Sequence, residues 1–528
     1  MTLIQELVAD VIIIGGGLGG TSAALAAAKA GMKVVVTEET DWIGGQLTSQ
    51  AVPPDEHRWI ESFGCTASYR EFRNRVRDYY KRNYPLNEQA LNDPELNPGN
   101  AWVSRVAHEP KVALQVLEDI LAPYVNTRRI QVLLNTRPVH CETAGDQVAS
   151  VTVEKTDGQT RYKLRGAYFL DATETGELLP LAGAEYVSGA EARSETNEPH
   201  ALEQADPLDM QSITHVAAVE YIPDGNFTIP KPDNYDFWHE YKPSFSTYPI
   251  LSWYANEAED TSKLRRFTMF PNDQGIMSLW DYRRIVDPSL WRVPLSDGEV
   301  TLLNWPMNDY YLGPVIGVSE QERKRHLEAA RGLTLSLVYW LQTEAPRLDG
   351  GYGYPGIRLR GDVLGTEDGL AKSPYIRESR RIRAQYTITE HDVSQELRGA
   401  NGIKRYEDSV GVGSYYLDLH PTTVNQRAFF IPNYPYEIPL GSLIPVRMTN
   451  LLPACKNIGM TQIANGCYRL HPTEWNIGES AGLLAAYAVM HGIPPREVRA
   501  SAAHLCDYQA MLERYGVQLH WPEGTLEM

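Results

Sequence analysis

The run from Val8 to Gly45 constrains the fold of this chain more than any other stretch. Val11-Ile-Ile-Ile14 is a short β-branched segment of the kind that forms a strand buried on both faces. It leads directly into Gly15-Gly-Gly17-Leu18-Gly19-Gly20, which satisfies G-x-G-x-x-G. In such a turn Gly15 allows the chain to reverse tightly, Gly17 removes a side chain that would stand against a pyrophosphate, and Gly20 lets the next helix lie close to the strand. The alanine-rich segment Thr21 to Gly31 predicts that helix, its first-turn amides turned toward phosphate, with Leu18 and Gly19 part of the same phosphate-binding turn. Val34-Val-Val36 predicts the second strand, and Glu38 at its end is placed to accept hydrogen bonds from a ribose, with Glu39 beside it. Strand, glycines, helix, strand and acid in this order predict a Rossmann-type dinucleotide-binding unit.

Composition narrows what surrounds that unit. At 528 residues the chain is too long for one ordinary core. Its 49 basic and 67 acidic residues give a formal charge of -18 with no long basic run, which argues against nucleic acid or an anionic membrane as partner. Cys65, Cys141, Cys455, Cys467 and Cys506 are widely spaced and form no C-x-x-C, so a reduced, cytoplasmic protein without a metal site is expected. The start, MTLIQELVADV, carries no signal-peptide pattern, and no uncharged apolar run is long enough to span a membrane.

Along the chain, residues 51–101 show no strand-helix alternation beyond a charged amphipathic segment, Tyr69 to Tyr84, and read as an insertion near the cofactor. A helix is expected from Pro110 through Leu121. Ile130 to Leu134, Gln147 to Thr156 and Tyr162 to Leu164 predict a three-stranded antiparallel excursion. The middle, 191–431, carries six of the eleven tryptophans among many tyrosines; these rings either line a pocket for a ring-shaped substrate or pack the core of a β-rich domain. Within it, Glu320 to Thr343 predicts one long helix. Gly351-Tyr-Gly353-Tyr-Pro-Gly356 also satisfies G-x-G-x-x-G, but no apolar strand precedes it and Pro355 interrupts it, so it is not read as a nucleotide site. Asn450 to Cys455 predicts a last buried strand and Pro472 to Met490 an alanine-rich helix.

Trp42-Ile-Gly44-Gly45-Gln46-Leu-Thr-Ser49 resembles the glycine pair that follows the ribose acid in FAD enzymes of the glutathione-reductase superfamily. Ala167-Tyr-Phe-Leu-Asp-Ala172-Thr173-Glu-Thr-Gly176 resembles that superfamily's strand returning to the FAD sheet, with the glycine of its D-A-T-G turn displaced to Gly176. Together with Asn304 to Tyr310, Glu378 to Ile382, Asp418-Leu-His420, Tyr436 to Leu443 and Arg469 to Pro472, these segments make the chain similar, almost end to end, to the FAD-dependent oxidoreductase family that carries a xanthan-lyase-related label. Where that family shows I-P-Y-R-S-L, this chain has Leu440-Gly441, which removes a cation.

The resemblance implies an α/β fold, with a Rossmann-type FAD-binding domain assembled from residues 1–50, 102–190 and 432–528, and an interleaved β-rich α+β substrate domain at 191–431. It implies that Gly459, Gly478 and Glu479 lie beside the cofactor in the C-terminal return. Hydride transfer from a small or ring-shaped organic substrate to FAD then needs a base for the heteroatom proton. His420 is the first candidate and His471 the second, with Arg469 placed to hold an anionic group; Cys65, downstream of the glycine pair, is a candidate for approach to the flavin. A flavin monooxygenase or halogenase using externally reduced FAD, or a non-catalytic flavoprotein, are the competing readings.

Overall fold

A strand whose four side chains are all buried, Val11–Ile14 (β1), organises the computed structural model, which describes residues 4–257, 263–293 and 298–527. From β1 the chain turns at Gly15, whose φ of +100° is a left-handed conformation open to glycine, and where an added Cβ would lie 2.3 Å from the Ala172 carbonyl oxygen. It enters helix α1 (Leu18–Lys29), which begins three residues before the sequence-expected start, so that Gly19 and Gly20 sit in its first turn. The strands Val34–Thr37 (β2), Ile130–Leu133 (β3), Tyr168–Asp171 (β4) and Leu451–Pro453 (β5) complete a five-stranded sheet in the order β5-β4-β1-β2-β3. Every pairing in it is parallel, with Val11 opposite both Val34 and Tyr168 and Leu451 opposite Phe169.

Ile130–Leu133 therefore belongs to this parallel sheet and not to the antiparallel excursion expected for it. The excursion is built from Thr136–Ala144, Gln147–Lys155 and Arg161–Arg165, with Ile4–Val8 added in parallel at its edge. Thr136–Ala144 escaped the sequence pattern because Pro138 breaks the run; the register shifts between Pro138 and His140 accommodate it.

Helix α2 (His471–His491) is buried from His471 through Ala488 and packs along α1. Two helices without an exposed stripe come this close only where side chains are missing. A Cβ on Gly478 would lie 2.0 Å from the Gly19 carbonyl oxygen, and one on Gly482 would lie 2.4 Å from that of Ala23. On its other side α2 receives the 51–101 segment. The helix there, Ala67–Asn83, presents Tyr69 and Phe72 to Trp475, with ring centroids 5.7 and 5.9 Å apart. Fully buried Arg73 ties the same helix to the preceding loop through Glu56 at 2.8 Å and Glu61 at 2.6 Å.

The middle of the chain has its own core. Trp238, Trp253, Trp280, Trp305 and Trp340 are all buried in it, against the long helix Glu320–Thr343. The tryptophan-rich pattern is thus mainly packing; of these rings Trp305 also reaches a cavity wall. The Ser319 side chain and Glu322 form a reciprocal cap at the start of the long helix. Among the described residues no helix is long and apolar enough to cross a membrane.

Gly478→Ala is expected to push α1 and α2 apart, lowering the thermal midpoint by an amount matching about 1–3 kcal/mol of overpacking and weakening cofactor retention. Thermal denaturation together with flavin content after gel filtration checks this; an unchanged midpoint and full flavin would show that the close approach is not needed.

Candidate active site

The C-terminal ends of β1, β2 and β4 open onto a cavity of about 480 Å³ lined by Gly15, Gly17, Glu38, Gly45, Ala172 and Thr173, among others. Its edge is held by side chains answering loop amides. The Gly16 N–H donates to Glu38 Oε2 at 3.1 Å, and Thr40 donates to Glu38 Oε1 through its N–H at 2.9 Å and its hydroxyl at 2.8 Å. Burial pushes Glu38 up to about 7, although the Thr40 hydrogen bonds oppose it. Glu39 also lines the cavity and is raised by burial. At the end of β4, Asp171 gathers the turn: Thr173 donates to its Oδ1 at 3.0 Å (N–H) and 2.7 Å (hydroxyl), and the Leu178 and Leu179 N–H groups donate to its Oδ2.

Deeper in, buried Lys456 pairs with Glu174 and lies 3.6 Å from Glu474, while Gln46 Nε2 donates to Glu474 at 2.8 Å. Burial raises Glu474 even though Lys456 opposes it. Buried Gln46 Oε1, Gln50 Oε1 and Glu474 Oε1 have no hydrogen-bond partner. A carboxylate oxygen of Glu174 lies 2.7 Å from where a Gly17 Cβ would stand and 2.9 Å from that of Gly45. The α1 N-terminus, the glycine turn on the cavity wall and the unanswered Gln50 Oε1 fit a dinucleotide carrying a polar ring system, whereas Gln46 and Glu474 lie behind the wall and do not line the cavity. An anion bound there competes with the Glu174 carboxylate for the same space.

The other sequence candidates divide. Leu18, Gly19 and Gly20 are buried in α1; Gly478 is a helix contact. The Gly44 N–H donates to Gly16 O at 2.8 Å, and the residue backs onto Leu117. Gly459 packs beneath Ala384 and the Tyr386 carbonyl, and Glu479 turns to the Ser68 hydroxyl at 2.5 Å. Cys65 lines none of the cavities described here; Arg70 donates to its sulfur at 3.3 Å, and burial pushes its thiol up to about 11. Leu440 and Gly441 likewise lie away from these cavities.

The two histidines have different surroundings. His471 is fully buried, its Nδ1 accepting from the Asp55 N–H at 3.1 Å and its Nε2 3.0 Å from the Val52 carbonyl. Both ring nitrogens are thus used to hold the 52–55 loop, and burial pushes the ring down to about 4, so His471 is a clamp and has no nitrogen left for a substrate proton. His420 follows the short strand Leu417–Leu419 and stands between two carboxylates, Nδ1 2.6 Å from Asp309 Oδ2 and Nε2 3.3 Å from Asp418 Oδ2. Burial would raise both acids, but Arg377 and His420 hold Asp309 well below the usual range, and His420 with Arg469 brings Asp418 to about 2. An ionised Asp309 can only accept, so His420 Nδ1 carries a proton and donates it.

His420 lies where two further cavities meet. One, of about 540 Å³, is walled by Phe245, Ile250, Tyr254, Tyr311 and Phe429; the other, of about 70 Å³, is polar; both share Pro306, Asp309, Asp418 and His420. In the smaller, Arg283 faces Asp55 at 3.2 Å, Arg377 faces Asp309 at 2.9 Å and Arg469 faces Asp418 at 3.1 Å. The two-residue strand Tyr375–Ile376 divides it from the dinucleotide cavity: Pro374 and Ile376 line the latter, Tyr375 and Arg377 the former. Of these groups, Asp309 lies in the Asn304 to Tyr310 segment that carries the family resemblance, but its spacing from His420 gives it no visible role in the sequence. Asp55, Arg283, Tyr375 and Arg377 carried no local signal, because only the tertiary fold brings them together.

The model of a family described as FAD dependent oxidoreductase matches residues 10–510. The chain belongs to that family. No curated protein matches it. Among solved structures it is similar to L-proline dehydrogenase from P.horikoshii, at 16% identity and a TM-score of 0.18, over 36% of this chain and 25% of that one. It is similar to adenylylsulfate reductase from Archaeoglobus fulgidus at 14% identity and a TM-score of 0.21, over 33% of this chain and 31% of that one. OxyS anhydrotetracycline hydroxylase from Streptomyces rimosus matches over 97% of this chain and 67% of that one, at 12% identity and a TM-score of 0.31. The chain thus spans 25% and 31% of the first two proteins, and these overlaps are too loose to carry residue roles across.

Two outcomes are expected for cofactor affinity. Hydroxyl donors reaching Glu38 favour its ionised form, so binding releases a proton whenever the free protein holds one there. Affinity is then full above about 7 and falls as pH drops below that value, by at most tenfold per unit. FAD titrations across this range check it, and Glu38→Gln should flatten the dependence. Glu174→Gln, which removes a charge competing with the diphosphate, should tighten FAD binding; weaker binding would show that the carboxylate supports the cofactor.

Proposed function

We propose that the enzyme is a dehydrogenase or oxidase that takes hydride from a carbon bearing a hydroxyl or amine in a small or ring-shaped organic substrate, with His420 as the base. FAD supplies the hydride acceptor. The observation that carries this reading is His420 held between Asp309 and Asp418 where the two cavities meet. Because Nδ1–H donates to Asp309, the substrate's heteroatom proton goes to Nε2, which must be in its unprotonated form and exchange its 3.3 Å contact with Asp418 Oδ2 for the substrate. The imidazolium so formed is matched by both carboxylates, and Arg469 holds Asp418 in place at 3.1 Å. The aromatic and aliphatic walls of the larger cavity receive the apolar part of the substrate and keep water from the reacting centre.

The single sheet formed by Val11–Ile14, Val34–Thr37, Ile130–Leu133, Tyr168–Asp171 and Leu451–Pro453 supports a cofactor domain assembled from residues 1–50, 102–190 and 432–528, with 51–101 inserted and 191–431 forming the substrate domain. All five cysteines are unpaired, which supports a reducing, cytoplasmic setting.

His420→Ala should retain FAD and fold while flavin reduction slows by about 100-fold or more. His471→Ala, which frees the 52–55 loop, should reduce cofactor affinity more than reductive rate. Anaerobic flavin bleaching of the two variants with a reducing substrate checks both. A fast His420→Ala beside a slow, FAD-replete His471→Ala would reverse the assignment.

A further inference from the structure

The small polar cavity is unbalanced in a way that its charges alone do not reveal. Its three arginines and three aspartates cancel, and each aspartate is already met by an arginine. The donors, by contrast, are left over. Arg283 Nε, Arg377 Nε, Arg469 Nε and Asn304 Nδ2 are buried without a hydrogen-bond partner, on residues 8%, 2%, 2% and 5% exposed. The Tyr375 hydroxyl accepts from Arg469 at 2.6 Å, leaving its own hydrogen free. Burial raises Tyr282 and Tyr415, which also line the cavity, so their phenols stay protonated. Buried donors left unanswered are costly, and a cluster of them favours a ligand group that accepts.

We infer that this cavity is a carboxylate-binding subsite, and that the substrate is an organic acid whose apolar remainder extends past His420 into the larger cavity. A volume of about 70 Å³ has room on the order of two waters, enough for the two oxygens of a carboxylate but not for a bulky headgroup. Arginine is the side chain suited to that group because its donors are fixed in a plane and always charged. The charge balance also favours it: one bound carboxylate adds a negative charge beside His420, offsetting the proton that the ring gains when substrate is oxidised. The cations are supplied by Arg283, Arg377 and Arg469, from three separate parts of the chain.

This inference rests on the proposed reading of His420 only for where the reacting carbon lies; the subsite itself can be tested without turnover. The FAD-loaded enzyme is titrated with acetate and phenylacetate and with their neutral amides, acetamide and phenylacetamide, following flavin absorbance and Trp305-dependent fluorescence. The acids should bind at least about tenfold more tightly than the amides, with phenylacetate the stronger. Asn304→Leu removes a donor that holds no other side chain in place, and should weaken phenylacetate about tenfold while leaving phenylacetamide unchanged. Arg377→Met should weaken it further. Should that variant not fold, because Asp309 loses its arginine partner, Asn304→Leu still decides. Equal affinity for acids and amides, no binding of either acid, or an Asn304→Leu protein with unaltered acid affinity would overturn the subsite. Acid binding with normal flavin reduction in His420→Ala would leave the subsite standing and remove the proposed base. Bleaching by neutral alcohols or amines without preference for acids would do the reverse.

Discussion

The fold depends on the closeness of two helices that are far apart in sequence. Helix α1 follows directly from the first strand, and α2 begins more than four hundred residues later, yet the backbone of Gly19 and the Cα of Gly478 are in contact. Once α2 is seated, its first turn delivers Glu474 to Lys456 and Gln46, His471 to the 52–55 loop, and the preceding Arg469 to Asp418. The dinucleotide cavity and the polar cell are thus positioned by one helix pair. Its glycines give up helix propensity, roughly 1 kcal/mol each relative to alanine, in exchange for main-chain contact.

How much of this was legible in the sequence follows from range. The β1-α1-β2 unit is local, and its glycines, periodicity and terminal acid each carry a physical requirement that shows in the letters. The long helix Glu320–Thr343 was equally readable, since its capping pair lies three residues apart. Ile130–Leu133 was recognised as a strand but assigned to the wrong sheet, because four apolar-alternating residues state a conformation and not a partner. In segment 51–101 only the helix Ala67–Asn83 showed in the letters, through Tyr69, Phe72, Val76 and Tyr80 at helical spacing; the loop before it is held by buried arginine-glutamate pairs, which leave no period. Among candidate residues, Gly15, Gly17, Glu38, Glu39, Gly45, Ala172 and Thr173 fall on the cavity wall. Glu479 and Gly459 do not, because helix and loop directions decide which way a residue faces.

The polar cell shows a further limit of sequence reading. Of six charged side chains drawn there from positions 55 to 469, five are buried and Asp418 is partly so. Removing such groups from water is unfavourable unless each charge is met, and the pairing of arginines with aspartates meets that need. The remaining N–H groups fall outside this balance. A site that keeps donors unanswered sacrifices stability for recognition, as functional sites commonly do.

The strand Tyr375–Ile376 and its flanking residues contribute to both chambers, and their side chains alternate between them. Since successive residues of a strand point to opposite faces, Pro374 and Ile376 are committed to one chamber and Tyr375 and Arg377 to the other. The wall therefore has a parity. Conservative substitutions along it alter one chamber at a time, whereas a single-residue insertion or deletion would exchange the two faces, turning a guanidinium toward the dinucleotide and an aliphatic side chain toward the polar cell. Divergence of substrate preference on this scaffold has to proceed by replacement at this wall, and changes of length must be absorbed elsewhere.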